Sequence, residues 1–150
     1  VHSVADSFSA SYGAEPEAVA RARTELTAYA ARVGFNGARL ADLRLAVSEA
    51  VTNAVLHGYR DAPGDVQVTG EFDHGALWIR VRDAGCGMRP RPETSTSRTG
   101  LGLGLGLIAR VVDAMTLEQR RRGGTDLRMR FDLAAAAAPA RRRAAAAARA

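Results

Sequence analysis

The stretch Asp65-Val66-Gln67-Val68-Thr69-Gly70-Glu71-Phe72-Asp73-His74-Gly75-Ala76-Leu77-Trp78-Ile79-Arg80-Val81-Arg82 has a period of two. Val66, Val68 and Phe72 alternate with polar residues, Asp73-His74-Gly75 turns the chain, and Leu77, Ile79 and Val81 alternate again. Two half-buried antiparallel strands joined in a hairpin give that pattern. Trp78 alternates away from Leu77 and Ile79 and so faces either helices or a partner, with a core position expected for it.

Upstream of the hairpin the period is helical. Pro16 suits a first helical position, and Val19, Ala22, Leu26, Tyr29, Ala30 and Val33 recur on one face before Gly34 closes the helix. Asn36 is a candidate N-cap for a second helix reaching about His57, with a core stripe of Leu40, Leu43, Val47, Ala50, Val51, Ala54 and Val55. Before both, Ser7 to Tyr12 alternates briefly and reads as an edge strand.

Downstream, residues 84–100 carry glycines, Pro90, Pro92 and a Ser/Thr run, and are expected to form a loop. A third helix is predicted from Leu105 to Ala114. A last hairpin pairs Met115–Gln119 with Thr125–Leu133 around Gly123-Gly124, with Leu127, Met129 and Phe131 on its buried face. The order β-α-α-β-β-loop-α-β-β predicts an α/β (α+β) two-layer sandwich, with helices on one face of a mixed, mostly antiparallel sheet. Residues 1–133 are read as one domain and 134–150, Ala and Arg with one Pro, as a disordered tail.

Composition limits the chemistry. All 21 basic residues are arginine. A P-loop, a eukaryotic-type protein kinase and a Schiff-base enzyme each need a lysine, so all three are excluded. The single cysteine, Cys86, excludes a disulfide scaffold or zinc ribbon and points to a reducing cytoplasm. Of the +5 formal charge, four arginines lie in 134–150, which leaves 17 arginines against 16 acidic residues in the body. That distribution argues against direct nucleic-acid binding. No stretch approaches 18 strongly apolar residues, so no membrane span is expected.

Three segments carry candidate chemistry. Glu49 and Asn53 in Ser48-Glu49-Ala50-Val51-Thr52-Asn53 stand one helical turn apart and share a face. The amide oxygen suits Mg²⁺ and the carboxylate can take a proton, although the pair taken alone reads as a solvated polar face. Asp83-Ala84-Gly85-Cys86-Gly87 follows a strand directly: its carboxylate can accept from an adenine amino group, or merely begin a turn. Gly100-Leu101-Gly102-Leu103-Gly104-Leu105-Gly106-Leu107 leads into a helix, where glycine amides suit phosphates, or it is a flexible loop.

In this order these residues resemble the ATP-binding domain of the GHKL superfamily (gyrase, heat-shock chaperone, histidine kinase and MutL type). Glu49 and Asn53 match its N-box, Asp83-x-Gly85-x-Gly87 its first glycine box, and Gly100-x-Gly102-Leu103-Gly104-Leu105 its second. Ala46 to Val55, followed by His57-Gly58-Tyr59, is most similar to the N-box of the bacterial anti-sigma-factor serine kinases. The resemblance implies a Bergerat-type sandwich with ATP between the glycine boxes and the N-box helix. It further implies Mg²⁺ on Asn53, adenine read by Asp83, the base lined by Gly85 and Gly87, the phosphates by Gly100, Gly102 and Gly104, and Glu49 as general base. The segment from Met88 to Thr99 corresponds to the ATP lid, with Arg98 as a γ-phosphate contact. The implied partners are an anti-anti-sigma (STAS-type) protein, phosphorylated on serine or threonine, and a sigma factor. A cytoplasmic homodimer is implied, with no direct nucleic-acid or membrane contact. A non-catalytic, nucleotide-gated binding module of the same fold is the alternative.

Single residues read more plainly. Cys86 is expected as a small buried filler, His57 as a packed helix-end residue, and Arg21, Arg23 and Arg32 as the solvated face of the first helix.

Overall fold

The structure, a computed structural model, describes residues 6–58, 63–85 and 101–134. In chain order the elements are β1 (Ser7–Gly13), α1 (Pro16–Arg32), α2 (Gly37–Asn53), a π turn (Ala54–Gly58), β2 (Asp65–Asp73), β3 (Ala76–Arg82), α3 (Leu101–Val111), β4 (Ala114–Gln119) and β5 (Thr125–Asp132). The five strands form one sheet in the order β1-β2-β3-β5-β4. All four neighbouring pairs are antiparallel, so the sheet carries no parallel component.

The alternation seen in the sequence sets which face is covered. Val66, Val68, Leu77, Ile79, Val81, Leu127, Met129 and Phe131 point inward and are buried beneath Leu26, Tyr29, Leu43, Val47, Val51 and Ile108 of the helical layer. Each such Val, Leu, Ile, Met or Phe side chain contributes about 1.5–3 kcal/mol on burial. Gly70 lets α1 settle onto β2: a Cβ there would stand 3.1 Å from Leu26 Cδ1 and 3.2 Å from Tyr29 Cε1.

No described element covers the opposite face. Trp78 lies on it, 47% exposed, so the expected core position is wrong. The cause is local: Leu77, Ile79 and Val81 occupy the inward positions of β3, and strict alternation sends Trp78, Arg80 and Arg82 outward. Arg130 of β5, paired with Trp78 in register, sets its guanidinium 5.8 Å from the indole ring. Beside them Arg80 grips the buried Asp126 carboxylate through Nε at 2.8 Å and 3.0 Å, with Arg82 and Arg128 each at 3.6 Å. That hydrogen-bonded guanidinium holds the Asp126 carboxyl below the usual carboxylate range, against the opposing effect of burial.

The far end of the helical layer is closed by Arg39, only 6% exposed at the start of α2. It donates to the Val111 carbonyl at 3.2 Å and the Asp132 carbonyl at 3.3 Å, pairs with Asp113, and lies 5.4 Å over the Phe131 ring. One side chain thereby ties α2 to the end of α3 and to β5. Asn36 occupies the N-cap position of α2, as predicted, but its side chain makes no capping hydrogen bond.

Candidate functional site

Glu49 and Asn53 stand one turn apart at the C-terminal end of α2, as the sequence spacing predicts. Regular α geometry ends at Asn53 and the chain continues as the π turn rather than as α-helix to His57. Asn53 is buried at 6% exposure, and its Nδ2 has no hydrogen-bond partner among the described residues. An unpaired buried amide costs free energy, so this end of α2 is built to receive another polar group.

What faces the pair is Gly104 of α3. A Cβ on it would lie 3.0 Å from Glu49 Oε2, 3.2 Å from Asn53 Nδ2 and 3.3 Å from Asn53 Oδ1. The second glycine-rich segment and the Glu49–Asn53 pair are therefore brought into direct apposition. The helix starts four residues earlier than predicted, at Leu101, so Gly102 and Gly104 belong to the first turns of α3 instead of a loop before it. Glycine's poor helix propensity, about 1 kcal/mol relative to Ala, suggests a loop, but packing against α2 outweighs it. The backbone N–H groups of a first helical turn lack intrahelical acceptors, so the shift leaves the Gly102 amide available to an anion.

Asp83 follows β3 immediately and is 3% exposed. Its Oδ1 accepts from Gly85 N–H at 3.0 Å, and its Oδ2 accepts from the Thr125 hydroxyl. Its own N–H donates to the Thr125 carbonyl at 3.1 Å, and its carbonyl accepts from Arg120 Nη1 at 2.8 Å. Each carboxylate oxygen keeps acceptor capacity beyond these bonds. Thr125 and Arg120 were not singled out in the sequence. The signal for Thr125 is the β3–β5 register: Arg82 pairs with Asp126, which sets Thr125 beside Asp83.

Of the predicted site residues, Glu49, Asn53 and Gly104 converge, Gly102 lies in the same helix start, and Asp83 and Gly85 form a hydrogen-bonded unit at the end of β3. Gly87, Gly100 and Arg98, together with Cys86, the whole of the proposed lid and the tail after 134, lie outside the described residues. Among the described residues no three His, Cys, Asp or Glu side chains cluster to hold a metal ion, and no helix is long and apolar enough to cross a membrane.

The residues fit Mg²⁺ and a nucleotide in kind. Mg²⁺ is commonly held by one or two protein oxygens, with the remaining positions left to phosphates and water, and the Asn53 amide supplies such an oxygen next to the glycine-bearing helix start.

Comparison with known proteins bears on the family and the fold. A family model described as a histidine kinase-like ATPase domain matches residues 12–131. The serine-protein kinase RsbW of Listeria innocua serovar 6a is 38% identical over 73 residues, covering 48% of this chain and 46% of that protein. The anti-sigma F factor of Shouchella clausii is 34% identical over 86 residues, covering 57% and 59%. The alignments thus span about half the length of these curated relatives. Among solved structures, the RsbU and RsbW domains of a Mycobacterium tuberculosis protein superpose with a TM-score of 0.66 at 23% identity, covering 85% of this chain and 32% of that one. The histidine kinase domain of a blue-light-activated kinase from Erythrobacter litoralis gives 0.54 at 22% identity, covering 78% and 62%. At such identities both speak to the fold alone.

Proposed function

The chain belongs to the histidine kinase-like ATPase domain family, and on that footing we propose that it is a cytoplasmic, ATP-dependent serine/threonine protein kinase. It acts as an anti-sigma factor that phosphorylates an anti-anti-sigma (STAS-type) protein and otherwise sequesters a sigma factor. The observation that carries this is the apposition of Gly104 to Glu49 and Asn53. The names of the two curated relatives, a serine-protein kinase and an anti-sigma factor, support the same activity.

Each residue then has a task. Asn53 would hold Mg²⁺ through its amide oxygen, and Mg²⁺ supplies neutralisation of phosphate charge that lysine supplies elsewhere. The amide of Gly102 donates to the phosphates, and Gly104, lacking a side chain, leaves them room beside Glu49 and Asn53. Asp83 accepts from the exocyclic amino group of adenine, with its carboxylate held by Gly85 and Thr125. Glu49 takes the proton of the acceptor hydroxyl as that hydroxyl oxygen bonds to the γ-phosphorus, while the bond from the γ-phosphorus to the β–γ bridging oxygen breaks and ADP leaves. Nucleotide occupancy coupled to exchange of the two partner proteins makes a two-state switch.

The test uses radiolabelled ATP, Mg²⁺ and a purified STAS-type anti-anti-sigma protein. Label passes to the partner with the wild-type chain, is lost with Glu49→Ala while ATP still binds, and is lost together with binding in Asn53→Ala. Absence of ATP binding by the wild type overturns the proposal. Binding without transfer to any candidate partner replaces it with a non-catalytic, nucleotide-gated module.

A further inference from the structure

Arg120 stands at the end of β4 and opens the turn to β5, which the chain closes on itself: Gly123 N–H donates to the Arg120 carbonyl and Arg120 N–H to the Gly124 carbonyl, both at 3.0 Å. Gly123 and Gly124 have φ of +94° and +91°, a region that L side chains rarely adopt. Their bare backbone also lets the turn press onto the end of β3. A Cβ on Gly124 would collide with the Asp83 carbonyl oxygen, and one on Gly123 would lie 2.9 Å from the Gly85 carbonyl oxygen. From this closed turn the half-buried Arg120 side chain donates to the Asp83 carbonyl at 2.8 Å.

That carbonyl belongs to the peptide joining Asp83 to Ala84, so its orientation fixes the direction in which the first glycine box leaves the strand. Of the four polar groups of Asp83, three are held from residues 120–125: the N–H by the Thr125 carbonyl, the C=O by Arg120 and Oδ2 by the Thr125 hydroxyl. Thr125 sets the carboxylate from one side. Among the described residues, Arg120 supplies the side-chain hydrogen bond to this peptide on the other.

We propose that Arg120 is the positioning residue for nucleobase selection by Asp83. The proposal rests on the ATP reading of the site and goes beyond it by naming what holds the backbone that carries the adenine-reading carboxylate. A 6-amino group donates to a correctly placed carboxylate, whereas a 6-oxo group meets it with repulsion. Discrimination between the two is therefore steep only while the carboxylate stays in place. Without the Arg120 bond the Asp83 carbonyl loses its side-chain donor and the backbone that carries the carboxylate is held less firmly, so selectivity falls before binding does.

The experiment measures equilibrium binding of ATP and of inosine triphosphate, which differs in carrying a 6-oxo group, in the presence of Mg²⁺. The wild type, Arg120→Ala, Arg120→Lys, Asp83→Asn and the exposed neighbour control Arg121→Ala are compared. The wild type and Arg121→Ala prefer ATP, and Arg120→Ala compresses that preference about tenfold, the scale of one charge-assisted hydrogen bond. Arg120→Lys restores part of it, because an ammonium can still reach a carbonyl. An unchanged preference in Arg120→Ala, or an equal loss for both nucleotides, overturns the positioning role. If Asp83→Asn abolishes the preference while Arg120→Ala keeps it, only this inference fails. A wild type that binds neither nucleotide removes the ATP reading beneath it.

Discussion

Gly104 of α3 faces the carboxylate of Glu49 on α2 so closely that a Cβ at position 104 would stand 3.0 Å from Oε2. Substituting Gly104→Ala therefore forces the Glu49 and Asn53 side chains to shift. Alanine also favours the helix by about 1 kcal/mol, so the melting temperature is expected to hold or rise slightly. ATP affinity is expected to drop about tenfold or more, the effect of displacing one charge-assisted contact. Calorimetric titration beside a thermal melt checks both, and tight ATP binding by the variant would remove the role given to this glycine.

Glu49→Gln keeps the size of the side chain and removes its capacity as a base. Phosphotransfer to the partner is expected to fall by about 10²–10⁴-fold, with ATP affinity within a few-fold of wild type. Single-turnover transfer at saturating ATP separates the two quantities. A parallel loss of binding would show that Glu49 holds the nucleotide and does no proton transfer.

Arg39 serves stability. Arg39→Met leaves Asp113 without its guanidinium and the Val111 and Asp132 carbonyls without their donor, at an expected cost of about 3 kcal/mol. Arg39→Lys should recover only part, since an ammonium lacks the planar fork that meets three acceptors together. Urea unfolding midpoints measure each.

Asp126 gives the fold an acid limb. Its folded pKa is depressed, chiefly by the Arg80 hydrogen bond, so the unfolded chain binds the proton more readily. The contribution is present above the unfolded carboxylate value of about 4 and is lost as pH falls through the lower folded value. In Asp126→Asn the acid-side slope of stability is expected to flatten, with lower stability at neutral pH because Arg80 loses its charged acceptor. Denaturant melts between about pH 2 and 7 read both; an unaltered slope would assign the acid sensitivity to another group.

The local pattern was legible where neighbours in sequence are neighbours in space. The β2–β3 hairpin, α1, and the one-turn spacing of Glu49 and Asn53 all follow from periodicity. Position 104 was identified, but the start of α3 was not, because a run of alternating glycines carries low helix propensity and its compensation lies on another helix. The partnership of Asp83 with Thr125 and Arg120 depends on β5, and not β4, lying beside β3, a pairing between segments more than forty residues apart. Trp78 was misplaced because bulk and aromaticity favour burial in general, whereas on β3 the inward positions were already filled by Leu77, Ile79 and Val81.

The outward Trp78 also provides an optical probe. It is the only tryptophan in the chain, and it stands on the side of the sheet turned away from Glu49 and Asn53. Its half-exposed ring beneath Arg130 sets the emission wavelength, so intrinsic fluorescence excited at the red edge reports on whatever covers that sheet face. A protein that docks over the helices should leave the spectrum in place, and one that lies across the strands should move it to the blue. Without a label, the chain can thus distinguish the two sides from which it is approached.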